Sequence, residues 1–122
     1  MLDTIRSKRT SRNLKTEISS FEKQMVTHSA WKGDISLSEA AELLEGQKPF
    51  TFVLSNGFDR QHYILSFVSD RQVVKHKNIR IVVYQGQTCF INGGSGGPCA
   101  FVDDLIQGCL KVSSKFCQPL ES

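Results

Sequence analysis

A block of closely spaced strand patterns in the middle of the chain constrains the fold more than any other feature. The patterns are rich in β-branched and aromatic residues and cover residues 50–55, 62–67, 72–84 and 88–91. Asn56-Gly57 and Gln85-Gly86 mark short turns between them. Strands joined by short turns pair antiparallel. We therefore expect an antiparallel meander, in which the polar residues 75–78 interrupt the third strand.

Two helix patterns flank this block. Ser36-Leu37-Ser38-Glu39 is a capping box that predicts a helix start, and Gly46 supplies a left-handed stop. The apolar positions of this first helix fall on one side, at Leu37, Ala40, Ala41 and Leu44. Those of the second helix are Phe101, Leu105 and Cys109 or Leu110. The order predicts an α+β fold, a central antiparallel sheet flanked by two helices.

Residues 1–30 form a separate N-terminal segment in this prediction, and residues 31–122 form the domain. Residues 1–10 carry basic side chains and predict a solvated arm. Residues 11–28 predict an extra amphipathic helix with an apolar stripe of Leu14, Ile18, Phe21 and Met25. This stripe packs either on the domain or against a partner or second copy, and we favour the domain.

Composition narrows the function. The 122 residues fit one domain, and 39% hydrophobic with 22% charged residues are typical of a globular protein rather than a disordered tail. The chain lacks the roughly eighteen consecutive apolar residues of a membrane helix and the apolar core of a secretion signal, so we expect a cytoplasmic protein without membrane contact. The formal net charge of +3 comes from scattered Lys and Arg, so we expect no nucleic acid partner.

Metal binding and catalysis are both disfavoured. Cys89, Cys99, Cys109 and Cys117 are spaced by ten, ten and eight residues with no CxxC pair, so we predict reduced packing residues and no metal. The sequence has no nucleophile elbow, P-loop or dinucleotide fingerprint. We therefore predict that the chain is not an enzyme and needs no cofactor.

Residues 31–120 resemble the Src-homology-2 (SH2) family in a series of short motifs. Trp31, Gly33 and Ile35 match its opening, and residues 39–44 resemble its first helix. Phe52-Val53 match the strand before the family's phosphate-binding arginine. Later matches lie at 63–66, 74–76, 79–81, 89–91, 101–106, 108–110 and 116–120. The resemblance implies an SH2 fold and a tyrosine-phosphorylated peptide as partner.

The resemblance also implies a phosphate pocket between one side of the sheet and the first helix. The family's arginine falls at Leu54 and a second basic residue at Leu37, and neither leucine offers a donor. Loss of a buried bidentate arginine costs about 2–5 kcal/mol of binding. A shift of one residue in the match to the family would turn every side chain of this strand to the opposite face of the sheet. Only the spacing from Leu54 to Tyr63 supports the register that puts Leu54 at the arginine position.

Other residues are candidates to bind the phosphate instead. They are Ser55, Asn56, Gly57, Arg60, His76 and Arg80. The first three either form an anion-binding nest of backbone amides or are simply a hairpin turn. If Lys77 and Asn78 are an insertion relative to the family, Arg80 takes the place of a basic family residue on the third strand. If they are not an insertion, Lys77 or Asn78 takes that place. Instead of binding phosphate, Arg60, Lys77 and Arg80 can be solvated surface charges, and His76 can be a structural residue of the sheet.

A glycine-rich segment occupies the place of the family's peptide-specificity loop. It consists of Asn92, Gly93, Gly94, Ser95, Gly96 and Gly97. Four glycines leave few side chains to read a peptide. Both a natural loop and a linker engineered in place of one fit this composition, and Leu54 can likewise be read as an engineered knock-out.

The leading hypothesis is a phosphotyrosine-peptide binding module with an altered phosphate pocket. The alternative is a phosphate-independent interaction domain that holds its partner with an apolar pocket at Leu37 and Leu54, or with the N-terminal helix. Both would serve signalling, as a small adaptor or an excised piece of a larger protein. The residues in these motifs differ from those usual in animal SH2 domains, which favours a bacterial effector that acts in the host cytosol.

Overall fold

The computed structural model describes residues 16–59, 61–92 and 98–121. Residues 16–26 are helical and are called α1. The other elements are α2 (Leu37–Leu44), β1 (Thr51–Asn56), β2 (His62–Val68), β3 (Val74–Tyr84), β4 (Gln87–Asn92), α3 (Val102–Leu110), a 3-10 turn (Ser114–Phe116) and β5 (Gln118–Pro119). The predicted α+β order is confirmed.

The five strands form one sheet in the order β4-β3-β2-β1-β5. All pairs are antiparallel except β1 with β5. The pairing of β2 with β3 runs unbroken from Val68↔Val74 to His62↔Arg80. The predicted interruption at residues 75–78 is therefore wrong, and Lys77 and Asn78 are regular positions of a long strand.

The turns follow from backbone conformations that few residues adopt. Gln85 and Gly86 have φ of 51° and 78°, as a two-residue type I′ hairpin turn requires. Phe50 has φ of 70°, so the first strand begins at Thr51 rather than at Phe50. A Cβ at Gly57 would lie 2.9 Å from the carbonyl group of His62, so a close approach of two chain segments requires glycine there.

Helix α2 begins with the predicted capping box. The Ser36 hydroxyl accepts from the Glu39 amide and the Glu39 carboxylate accepts from the Ser36 amide, both at 3.0 Å. Helix α2 ends at Leu44, before the predicted left-handed stop, and Gly46 with φ of 77° lies in the turn that follows, which the Gln47 amide closes by donating to the Leu44 carbonyl at 3.0 Å. Ala40 and Leu44 are buried, whereas Leu37 is 45% exposed and does not share their packing.

The sheet separates two apolar clusters. On one side, Val53 and Val68 pack with Ala40 and Leu44 of α2. The larger cluster on the other side combines strand residues with α3 and α1, and it includes Phe52, Leu54, Leu65, Phe67, Phe90, Leu105 and Ile106. Successive residues of a strand point to opposite faces, so β1 contributes to both clusters.

Helix α1 packs on the α3 side of the sheet. Met25 is fully buried in the larger cluster, and Ile18 and Phe21 lie against it. The rings of Phe21 and Phe90 are 4.8 Å apart. Of the two interpretations of the apolar stripe, packing on the domain fits these contacts. Leu14 and the basic arm lie outside the described residues, and the boundary at residue 30 stays a prediction.

Candidate functional site

The ladder of cross-strand pairs decides which side chains face α2. Val53, Ser66 and His76 are partners on β1, β2 and β3. Directly opposite residues share a face of the sheet. Because Val53 packs against α2, Ser66 and His76 face the same side.

Two further rows face α2, since every second residue of a strand points to the same side. One row consists of Ser55, Ile64 and Asn78, and the other pairs His62 with Arg80. The α2 face of the three central strands therefore carries a group of polar side chains. We call it the polar group: Ser55, His62, Ser66, His76, Asn78 and Arg80.

Leu54 lies on the opposite face. It pairs with Leu65, which in turn pairs with Lys77, and it is 0% exposed in the cluster with α3. Leu37 lies at the start of α2, on the other side of the sheet. The predicted apolar pocket shared by Leu37 and Leu54 is therefore wrong. At this end of β1, the residue that faces α2 is Ser55.

The backbone amides after Ser55 are engaged within the protein. The Asn56 amide donates to the Gly33 carbonyl at 3.0 Å, and the Gly57 amide donates to the His62 carbonyl at 2.9 Å. The Asn56 side chain donates to the Asp34 carboxylate. The anion-nest hypothesis is therefore wrong for Asn56 and Gly57, which form part of a turn. Arg60 lies outside the described residues.

His76 forms a hydrogen bond within the polar group. Its Nδ1 lies 2.7 Å from the hydroxyl of the buried Ser66. Desolvation by burial lowers the pKa of His76 from its ordinary value. The imidazole therefore supplies little positive charge at neutral pH. Arg80 is exposed and is left as the main cation of the polar group.

Two clefts flank α2, and neither has a lysine or arginine among its described lining residues. The cleft at the start of the helix, of about 450 Å³, includes Asp34, Leu37, Phe58 and Ile64. The cleft near its end, of about 310 Å³, includes two carboxylates, those of Glu42 and Glu45.

Cations gather instead on the α3 side of the sheet. A cleft of about 440 Å³ lies between the β2–β3 turn and the end of α3. Its basic residues are Arg71, Lys75, Lys77 and Lys111. Of these four, the sequence prediction named only Lys77 as a site candidate; Lys75 lies in the motif at 74–76 but was not assigned a role, and Arg71 and Lys111 lie outside the motif series. The alternation of Lys75 and Lys77 in a strand was the one available signal.

The predicted specificity loop is only partly described. Asn92 is the last residue of β4, and its side-chain amide donates to the Cys109 Sγ of α3 at 3.3 Å. Gly93, Gly94, Ser95, Gly96 and Gly97 lie outside the described residues.

Comparison with known proteins identifies the fold. No protein-family model and no curated protein matches the chain. Among solved structures, the chain is similar to the solution NMR structure of the SH2 domain of a CRK/CRKL homologue from Monosiga brevicollis, with a TM-score of 0.57 and 16% identity over 79% of this chain and 89% of that one. The chain has an SH2-like fold.

Two findings accompany this SH2-like fold. In the described residues, no three side chains of His, Cys, Asp or Glu gather in an arrangement suited to a metal ion. No helix within the same residues is long and apolar enough to cross a membrane.

Proposed function

We propose that the chain is a peptide-binding module that takes an extended tyrosine-phosphorylated peptide across β3 and carries out no catalysis. The SH2-like fold supports a role in protein interaction. The proposal that the chain binds the phosphate group rests on the strand register, which puts Ser55, Asn78 and Arg80 on the α2 face. In this proposal the phosphate binds there, with the peptide continuing toward the α3 side.

The proposed phosphate site is weaker than one built on a buried arginine. Arg80 and the neutral Asn78 are exposed, whereas Ser55, also neutral, is only 1% exposed. A charge-assisted bidentate pair at a desolvated site is stronger than such contacts. We therefore expect phosphopeptide affinity lower by about 30-fold to several thousand-fold than a bidentate arginine would give.

Titration with one peptide pool in phosphorylated and unphosphorylated forms, at two salt concentrations, tests the proposal. Arg80→Gln should remove most of the preference for the phosphorylated form. Lys48→Gln is the control, since Lys48 is exposed and precedes β1, outside the polar group. Binding that is equal for both peptide forms would contradict phosphate recognition.

The alternative is a phosphate-independent interaction domain. It is favoured by the cleft at the start of α2, which has no cation among its described lining residues. Phe58 at this cleft is 97% exposed, and Leu37 lies beside it. Under this alternative, Phe58→Ser should weaken binding of both peptide forms equally, and Arg80→Gln should have no effect.

The cellular setting is part of the same proposal. Recognition of phosphotyrosine fits a signalling protein in the cytoplasm. A bacterial effector acting in the host cytosol stays one hypothesis for its origin, beside an adaptor and an engineered chain.

A further inference from the structure

The outward side of α2 carries an acidic ridge. Glu39, Glu42 and Leu43 are three and four residues apart, so they are neighbours on the surface of the helix. All three are exposed, whereas the buried residues of the helix pack against the sheet. The exposed Glu45 follows at the C-cap. We call these four residues the acidic ridge.

Two carboxylates of the ridge lie where a helix disfavours them. Glu42 is in the last turn of α2 and Glu45 is its C-cap residue, at the end where free carbonyl groups create a partial negative charge. The last turn has no basic residue, and neither carboxylate forms an ion pair within the described residues. These two positions therefore lower the stability of α2 in the free chain.

Leu43 adds apolar surface to the same ridge. Its side chain is 41% exposed between the carboxylates of Glu39 and Glu42 on one side and Glu45 on the other. A partner that covers the ridge must therefore offer both cations and apolar surface.

The basic cleft on the α3 side offers both. We use this name for the cleft of about 440 Å³ that contains Arg71, Lys75, Lys77 and Lys111. All four of these side chains are exposed, and none forms an ion pair in the part of the chain that the structure describes. Asp70 is the one carboxylate among the described lining residues, and the apolar lining includes Phe50, Phe67 and Leu110.

The ridge and the cleft face in opposite directions. Lys75 and Lys77 pair with Phe67 and Leu65, which belong to the cluster on the α3 side. Because opposite residues share a face, the two lysines face that side of the sheet, whereas α2 packs on the other. One chain cannot bring the two surfaces together, but two copies can.

We propose that the acidic ridge of one copy docks into the basic cleft of a second copy. The cations of the cleft would bind the carboxylates, and Leu43 would contact the apolar lining. The complementary charges on opposite sides of the chain favour a second copy over another acidic partner. The proposal is independent of the proposed function, because no residue of the ridge or the cleft belongs to the polar group.

This contact joins different surfaces of the two copies, so it is heterologous. Each pair of copies keeps one free ridge and one free cleft, and further copies can add head to tail. Exposed charge pairs are individually weak and are screened by salt. We therefore expect association with a dissociation constant on the order of 10 µM to 1 mM at low salt, weakened about tenfold or more at high salt.

Sedimentation equilibrium of the full chain across that concentration range tests the proposal. E42Q/E45Q removes charge from the ridge, and K75Q/K77Q removes charge from the cleft. The matched controls are D59N/E121Q and K23Q/K48Q, at exposed positions outside both surfaces. The two acidic pairs of substitutions raise the formal net charge from +3 by two, to +5, and the two basic pairs lower it to +1.

We expect both control variants to associate and E42Q/E45Q and K75Q/K77Q each to stay monomeric when alone. An equimolar mixture of E42Q/E45Q and K75Q/K77Q should form dimers and nothing larger, because it contains one intact type of ridge and one intact type of cleft on different chains. Circular dichroism confirms that all variants are folded.

A monomeric unchanged chain at low salt would overturn the proposal, as would association that survives in either E42Q/E45Q or K75Q/K77Q. A mixture of these two variants that stays monomeric would show that the ridge and the cleft do not bind each other. A chain that stays monomeric but binds poly-glutamate through Lys75 and Lys77 would assign the cleft to a different acidic partner.

The thermal stability of the monomer gives a second readout. At a concentration too low for association, E42Q/E45Q should raise Tm by about 1–4 °C, because it removes two carboxylates from the negative end of α2. A lower Tm would mean that these carboxylates stabilise the free chain, and it would overturn the argument that docking offsets their cost.

Discussion

The side-chain amide of Gln24 in α1 caps the first backbone amide of α3, that of Val102. The Gln24 Oε1 accepts from the Val102 amide at 2.9 Å, and its Nε2 donates to the Ala100 carbonyl at 3.1 Å. The residue at the N-cap position is Phe101, whose side chain makes no capping hydrogen bond. The first amides of a helix need an acceptor from outside it, and here a residue 78 positions earlier provides one.

Replacement of Gln24 by alanine should therefore destabilise the protein. The loss of a capping hydrogen bond costs about 1 kcal/mol of unfolding free energy. Urea denaturation followed by tryptophan fluorescence measures the change. Lys23→Ala is the matched control on an exposed position of the same helix. Equal stability of the two variants would show that the cap contributes nothing.

Truncation of the buried Leu54 side chain should lower the free energy of unfolding more than truncation of the half-exposed Leu37. It is 0% exposed, so Leu54→Ala leaves a cavity in the α3-side cluster and should cost about 2–5 kcal/mol of unfolding free energy. Leu37→Ala removes the same number of atoms from a half-exposed site and should cost much less. The measurement is chemical denaturation of both variants. A larger loss for Leu37 would contradict the orientation of β1.

The phenol of Tyr63 should ionise at a higher pH than an ordinary tyrosine. Burial, and to a lesser extent the negative charge of Glu22, raises its pKa to about 12. The folded state then keeps a proton that the unfolded state loses near pH 10, so the free energy of unfolding should fall as pH rises from about 10 toward 12. Ultraviolet absorbance of the phenolate measures the ionisation. Tyr63→Phe should remove the late transition, and its persistence in that variant would refute the assignment.

His76 should affect stability in acid. Desolvation lowers its pKa, so the unfolded state takes up a proton more readily as pH falls below about 6.5. The free energy of unfolding should therefore decrease as pH falls through that value, until His76 is protonated in the folded state as well.

An NMR titration of the imidazole signals checks this prediction. The midpoint for His76 should lie below 6.5, and His76→Gln should reduce the acid-dependent loss of stability. A midpoint above 6.5 would mean that the charged form is favoured in the folded protein.

Local sequence determined the start of α2 and the turn between β3 and β4. The capping box at Ser36 and Glu39 acts over three residues, and the Gln85-Gly86 turn needs only the conformations of its own residues. The apolar spacing of α1 likewise follows from the helical period, as does that of Leu105, Cys109 and Leu110 in α3, whereas the predicted stripe residue Phe101 is the exposed N-cap residue. These features are encoded by neighbours in the chain, so the sequence alone predicted them.

The resemblance to SH2 domains predicted the fold class but not the face of each site residue. Both Leu54 and its neighbour Ser55 lie in a strand that is buried on two sides. An alternating pattern is informative only where one face of a strand is polar. The pattern of β1 therefore fits either orientation. The motif spacing indicated that Leu54 faces the same side of the sheet as Leu37, whereas Leu54 lies on the opposite face.

Only the tertiary structure decided which surfaces carry charge and how α1 is attached. The pairing of β2 with β3 turns Lys75 and Lys77 toward α3, where Lys111 joins them from a distant part of the chain and Arg71 from the adjacent turn. The contact of Gln24 with Val102 spans a similar distance in sequence. Such arrangements depend on strand register and helix packing, which arise from long-range contacts rather than from the order of neighbouring residues.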